Sequence, residues 1–206
     1  MAESKSVLTH NKILQSGKEL FLKNGYEKTN LRELCKSAGI TTGAFYRHFS
    51  DKEALFAALT KNALDSFLKT YESSTLKAEA FCQDGSFENL SQLYKQTLFQ
   101  IIDLVFSDLD SFRLVLKSSS GTICADFVSQ IAKKQLTDTK LLYNSLKNHG
   151  ISFKPLEDTQ LYLLSYAYYS SVFELALQNN DKKTAISCAE TLFDFFVAGF
   201  KKVHNL

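Results

Sequence analysis

Between Thr41 and Lys52 the chain gathers two threonine hydroxyls, Gly43, the phenol of Tyr46, the guanidinium of Arg47, the imidazole of His48 and the ammonium of Lys52. All of these side chains donate hydrogen bonds, and several carry positive charge. That chemistry suits phosphate oxygens and base edges. Tyr46 and His48 reach a phosphate from one helical face, and Arg47 reaches either a phosphate or a base edge. Lys52 is a point charge suited to a backbone oxygen. Gly43 has no side chain, so the backbone there can approach a nucleic acid closely. Upstream, Thr29 can hold a phosphate and Arg32 can reach a guanine edge, where a bidentate contact discriminates by roughly 1–3 kcal/mol. The competing roles are plain ones: Thr29, Thr41 and Ser50 as helix caps, Phe45 and Phe49 as core.

These groups need a frame to hold them. A first helix is expected from Ser6 or Thr9 to about Asn24, with Ile13, Leu14, Leu20 and Phe21 on its apolar stripe. Gly17 sits in its middle, at about 1 kcal/mol against Ala, and close helix packing is the reason expected for it. Asn24-Gly25 ends the helix. Thr29-Asn30, with Glu33 three residues on, opens a short second helix. Gly39 breaks that helix, Ile40 plugs the core, and Thr41 or Thr42 caps a third helix of about two turns. Ser50, with Glu53 three residues on, caps a fourth helix that runs to about Ala80. Residues 29–49 therefore read as a helix-turn-helix, whose third helix enters a major groove with its N-terminus toward the bases.

The remaining chain is helical in pattern. One proline, eight glycines and no strict alternation argue against strands. Gln83-Asp84-Gly85-Ser86 and Asn179-Asn180-Asp181 are loop signals, and helices are expected at about 87–106, 109–117, 123–148, 156–178 and 183–203. The fold class is all-α, with about nine helices. Residues 1–52 form a DNA-binding domain, joined by the long fourth helix to a helical domain over 53–206. Net charge is +2, yet residues 1–53 carry nine Lys/Arg against six Asp/Glu, a distribution permissive for nucleic acid. The N-terminus lacks the apolar core of a secretion signal and no run is long enough to span a bilayer, so a cytoplasmic protein with no membrane association is expected. Cys35, Cys82, Cys124 and Cys188 are scattered without ligand spacing. They are expected to be buried hydrophobes, with no metal, no disulfide and no cofactor. The four histidines are far apart, and no nucleophile elbow, phosphate loop or metal motif accompanies them, so an enzyme is not expected.

Gly39–Leu55, with Gly25-Tyr26, Thr29 and Leu31–Ala38 before it, closely resembles the DNA-binding domain of the tetracycline-repressor (TetR) family of bacterial transcription regulators. Gly43, Phe45, Tyr46, His48, Phe49, Lys52, Glu53 and Leu55 match the family signature in type and spacing. Gly17 departs from the small Ala usual there. The resemblance covers about residues 9–56 and is architectural beyond. It implies a homodimer that binds a palindromic double-stranded DNA operator and is released by a small molecule. It also implies that Arg32, Thr41, Thr42, Gly43 and Arg47 face bases, while Thr29, Tyr46, His48 and Lys52 face the backbone.

The last two long helices are apolar around much of their circumference and need a second packing partner. A four-helix isologous interface between subunits follows, with Tyr162, Tyr169, Phe173, Phe193, Phe196 and Phe200 as candidates. An effector pocket is expected among Phe67, Tyr71, Tyr94, Phe99, Phe106, Phe127, Tyr143, Tyr166 and Tyr169. Gln100, Asp103, Arg113 and His149 are its possible polar groups. Aromatic lining suits a flat or lipophilic effector, and a cavity of about 300 Å³ or more favours a ligand sensor. The alternative is a DNA-binding protein without an effector, controlled by a protein partner or by thiol oxidation at Cys82 or Cys124.

Overall fold

Helix stop signals divide the sequence, and the computed structural model, which describes residues 5–81, 87–178 and 181–206, follows them closely. Among the described residues every regular element is helical. In order they are α1 (Lys5–Asn24), α2 (Leu31–Ser37), α3 (Thr42–Phe45), α4 (Lys52–Phe81), α5 (Phe87–Ser107), α6 (Leu109–Lys117), α7 (Phe127–Asn148), α8 (Asp158–Leu177) and α9 (Lys182–His204). No described helix is long and apolar enough to cross a membrane. The expected loops at Gln83–Ser86 and Asn179-Asn180, together with Cys82, lie outside the described residues.

The caps show why the boundaries fall where they do. Gly25 and Gly39 both take positive φ, +79° and +65°, the left-handed backbone that a helix stop requires. Asn30 caps α2 by accepting from the Arg32 amide at 2.8 Å, rather than through a reciprocal box with Glu33. The cap of α4 is Asp51, which accepts from the Ala54 amide at 2.7 Å; Ser50, expected in that role, instead donates to Asp51 at 3.2 Å. Helix α3 is shorter than the two turns expected. Arg47 and His48 close onto the carbonyls three residues back, Ala44 and Phe45, so the second turn tightens away from α geometry. Helix α7 starts four residues later than expected, because Ser118–Asp126 form a hydrogen-bonded loop: Thr122 Oγ1 donates to the Ser119 carbonyl at 2.7 Å, and Ser119 Oγ to that of Val115 at 2.7 Å.

The chain forms two compact units. The first comprises Met1–Leu64 with Asp108–Phe127, the second Asp65–Ser107 with Val128–Leu206. This division differs from a boundary after residue 52, and the reason is specific. Helix α6 and the loop after it pack within the first unit. Ser111 Oγ donates to the Leu59 carbonyl at 2.9 Å, and the Tyr26 amide to the Ser118 carbonyl at 2.9 Å. Ser120 Oγ meets Glu27 Oε2 at 3.1 Å, and Lys18 pairs with Asp110 at 3.5 Å. Sequence periodicity identifies α6 as a helix but carries no information about which unit it joins.

The core of the first unit is Ile13, Phe21, Leu34, Phe45, Leu55 and Phe56, all essentially inaccessible. Gly17 is where α1 comes nearest to α4: a Cβ there would lie 2.7 Å from Leu55 Cδ2. A side chain at Gly17 would have to displace the buried Leu55 side chain, which is the close packing expected of this position. In the second unit α5, α8 and α9 pack on one another, and Phe67 and Phe173 meet at 5.5 Å.

Gly17→Ala gains helix propensity of up to about 1 kcal/mol but overpacks a filled site at about 1–3 kcal/mol. The expected outcome is a melting temperature lower by a few degrees. In a Leu55→Ala background the same substitution is expected to be neutral or stabilising, because the clash is gone. Thermal denaturation of the four proteins in this cycle checks both statements.

Candidate nucleic-acid interface and apolar cavity

The turn between α2 and α3 sets the reading face. The Gly39 and Ile40 amides close onto the Lys36 and Cys35 carbonyls at 3.1 and 3.0 Å. Thr41 then caps α3 by accepting from the Ala44 amide at 3.1 Å. Phe45 and Phe49 are buried and lie 5.8 Å apart, holding this short segment to the core. Burial of these rings leaves Thr41, Thr42, Gly43, Tyr46 and Arg47 on the outside, with Tyr46 57% exposed. Arg32 on α2 is exposed as well, and His48 is half-buried. A Cβ at Gly43 would meet nothing nearer than Thr41 Oγ1 at 3.9 Å. The fold therefore does not need a glycine there, and its smallness is available to whatever approaches from outside.

Two expected backbone contacts are placed differently. Thr29 is only 3% exposed. Its Oγ1 lies 2.7 Å from the Gly25 carbonyl and 3.3 Å from that of Leu20, so the hydroxyl secures the end of α1 and does not face a phosphate. Lys52 is half-buried. Its Nζ donates to the carbonyls of Tyr26 at 2.7 Å, Thr29 at 3.0 Å and Glu27 at 3.5 Å. The same nitrogen sits 4.1 Å from the Tyr26 ring centroid. An ammonium has three protons, and all three are matched inside the protein. Lys52 therefore ties the start of α4 to the α1–α2 turn. Burial lowers its pKa, with Glu27 acting in the opposite direction.

One neighbour of the reading face was not singled out by the sequence. The His10 ring of α1 stacks on Phe49 at 5.1 Å and lies 5.6 Å from His48. No local spacing signals a pair of imidazoles separated by most of the domain.

The second unit contains a cavity of about 200 Å³, walled mainly by apolar side chains of α4, α5, α7, α8 and α9. Tyr71, Tyr94 and Tyr169 line it. The other expected pocket residues do not. Phe67 is buried between Tyr71 and Phe173. Phe99 and Phe106 are half-buried elsewhere, and Gln100 is exposed. Asp103 is exposed and paired with Lys182 at 3.0 Å. Arg113 lies on α6 beside Asp110, and Phe127 is buried; both belong to the first unit. Tyr143 does not line the cavity but bonds to His204, which does. Tyr166 is 42% exposed, and His149 is exposed and capped on the Ser145 carbonyl. Conversely, Tyr169, Phe193, Phe196 and Phe200, read from sequence as interface residues, line the cavity, and Phe173 is buried in the core of the second unit. Tyr162 is half-buried with its hydroxyl 3.0 Å from Ser129 Oγ.

A polar cluster crosses one wall. Tyr71 donates to Asp138 at 2.7 Å, Tyr169 donates to Gln135 Oε1 at 3.0 Å, and Gln135 Nε2 donates to Thr139 at 3.2 Å. Lys134 lies 3.6 Å from Asp138. At the end of α9, His204 Nδ1 lies 2.9 Å from the Phe200 carbonyl. A proton on Nδ1 satisfies that contact and leaves Nε2 to accept from Tyr143. Burial lowers the His204 pKa, in keeping with this neutral form.

Helices α2 and α3 with the turn between them thus have the geometry of a helix-turn-helix. Residues 13–59 match the family model for bacterial regulatory proteins of the tetR family. The HTH-type transcriptional regulator UidR of Escherichia coli K12 is 39% identical over 51 residues, 25% of this chain and 26% of its own. The chain therefore matches about a quarter of the length of this curated relative. The TetR family regulator PfmR of Thermus thermophilus superposes with a TM-score of 0.59 at 16% identity, over 96% of this chain and 97% of that one. FadR of Bacillus subtilis, solved in complex with stearoyl-CoA, gives 0.57 at 15% identity over 92% and 98%. Both likenesses are of fold.

Gly43→Ala is expected to leave the melting temperature unchanged or to raise it by up to the roughly 1 kcal/mol of helix propensity, while weakening binding to selected operator DNA. Paired melting and fluorescence titrations check the separation. Lys52→Met is expected to lower the melting temperature and to leave the slope of log affinity against log salt within experimental error. A phosphate contact, by comparison, would remove about 0.9 from that slope. Titration at four salt concentrations distinguishes a tie from a ligand.

Proposed function

We propose that this chain is a transcriptional repressor that binds a palindromic operator as a homodimer in the cytoplasm and is released by a small lipophilic molecule. What supports the reading is the pairing, in one chain, of an exposed helix-turn-helix face with a separate apolar cavity, joined by the continuous helix α4. Arg32, Thr41, Thr42, Gly43 and Arg47 supply the base-facing side. Tyr46 and His48 face the phosphate backbone.

A dimer supplies the second recognition helix that a palindrome needs, at about 34–36 Å or a multiple of it. The face proposed for it is the outer side of α8 and α9, where Leu163 and Tyr166 are exposed and Phe195 is 73% exposed. Exposed apolar residues in such a stripe are the usual mark of an interface. Ligand then acts by population shift. It prefers a conformer in which α4 has moved and the two recognition helices no longer match the groove spacing. Changing the bound fraction from 99% to 1% takes a preference of about 5.5 kcal/mol.

A second reading keeps DNA binding but replaces the small molecule by a protein partner. It is favoured by the cavity volume, which lies below the roughly 300 Å³ typical of ligand sites. Control by thiol oxidation is less favoured. Cys124 is buried and burial pushes its thiol pKa up, which withholds the reactive thiolate.

Phe195→Glu is expected to halve the mass measured by light scattering and to reduce affinity for a palindromic operator by about 100-fold, the usual order of a lost bivalent gain. A wild-type protein that is monomeric at micromolar concentration, with and without operator, rules out the dimeric reading.

A further inference from the structure

The cavity has a chemical character beyond its apolarity, and the inference below rests on the sensor reading given above. Among the described residues that line it, none is Asp, Glu, Lys or Arg. The nearest carboxylate, Asp138, is already engaged by the Tyr71 hydroxyl and by Lys134. Tyr71, Tyr168 and Tyr169 all have pKa values raised above the ordinary phenol, with burial the largest cause in each case. They remain neutral donors at physiological pH. An ionised ligand entering this space would lose its hydration and find no free opposite charge, an unfavourable exchange for carboxylate and ammonium alike.

The free polar groups define what the ligand can offer. Tyr71 and Tyr169 have their hydroxyls satisfied by Asp138 and Gln135. The Thr97 hydroxyl is satisfied by the Leu93 carbonyl and by Ser74. Tyr168 is different. Its ring is fixed edge-on against Phe196 at 5.2 Å, yet its hydroxyl has no hydrogen-bond partner among the described residues. No sealed side-chain oxygen there lacks a partner, so the Tyr168 oxygen keeps open surface. Tyr168 lines the cavity, so that surface is available to whatever the cavity holds. Ser165, one helical turn before it on α8, also lines the space, and its hydroxyl is likewise unpartnered among the described residues.

We propose that the cavity takes an uncharged molecule, about the size of one substituted aromatic ring, whose single carbonyl or ether oxygen accepts a hydrogen bond from Tyr168. Size follows from volume: an apolar cavity of about 150 Å³ holds benzene, and this one is about 200 Å³. A long acyl chain exceeds that volume.

The test uses four probes with one ring and the same reach: acetophenone, ethylbenzene, benzoate and benzylammonium. Binding is followed by calorimetry on the full chain, and operator affinity is measured alongside. Acetophenone is expected to bind more tightly than ethylbenzene, and both charged probes at least roughly tenfold more weakly than acetophenone. Tyr168→Phe is expected to weaken acetophenone by about 3- to 10-fold, the range of one lost hydrogen bond, and to leave ethylbenzene unchanged. Equal or tighter binding of either ion, an acetophenone-to-ethylbenzene ratio unaltered by Tyr168→Phe, or no binding of either neutral probe overturns the proposal. Neutral probes that bind as described without altering operator affinity leave the cavity assignment standing and overturn the sensor reading instead.

Discussion

The first turn of α4 is held to the α1–α2 turn by one ammonium group, and it packs on the middle of α1 where Gly17 lacks a methyl. Lys52 places its three protons on the carbonyls of Tyr26, Glu27 and Thr29, all in the segment that connects α1 to α2. Gly17 lets Leu55 of the same turn lie directly on α1. These contacts fix the first turn of α4 within the first unit. The reading segment depends on them, since Phe45 and Phe49 are buried in the same core that Leu55 and Phe56 complete. A recognition element of one tight turn has too few hydrogen bonds of its own to be stable alone. It is positioned by the core beneath it, and its exposed face is left free for chemistry.

The second unit resolves a different conflict. Helices α8 and α9 carry more apolar surface than one packing partner can cover. The fold divides that surface into three parts. Val172, Phe173 and Ala189 go into the core of the second unit. Tyr168, Phe193, Phe196 and Phe200 face the cavity, while Leu163, Tyr166 and Phe195 remain outside. Polar atoms near the cavity are largely satisfied by one another, through the Tyr71–Asp138 and Tyr169–Gln135 bonds and the His204–Tyr143 contact. Internal satisfaction of this kind makes the wall rigid and neutral.

The sequence by itself determined the helical class, nearly every helix boundary and which side chains around α3 stand exposed, because those properties are local. Periodicity reports which face of a helix is apolar, and left-handed glycines mark where helices stop. Gly43, Tyr46 and Arg47 are close neighbours in sequence whose exposure follows once Phe45 and Phe49 point inward. Gly17 was readable for the same reason: a glycine in a helix interior needs a packing cause.

Tertiary structure alone decided what distant groups do to one another. Lys52 looks like a free cation in sequence; only the approach of three carbonyls from residues 23 to 26 positions away makes it a tie. Thr29 looks like a surface hydroxyl until the end of α1 closes over it. Helix α6 is plain as a helix, yet its place in the first unit depends on Ser111 finding the Leu59 carbonyl. The aromatics of α8 and α9 are the clearest case. Helical spacing shows that they are apolar all round, but whether a ring meets the core, a cavity or open surface is set by the rotation of each helix against its neighbours. That rotation is a property of packing between elements, and no single stretch of the chain encodes it.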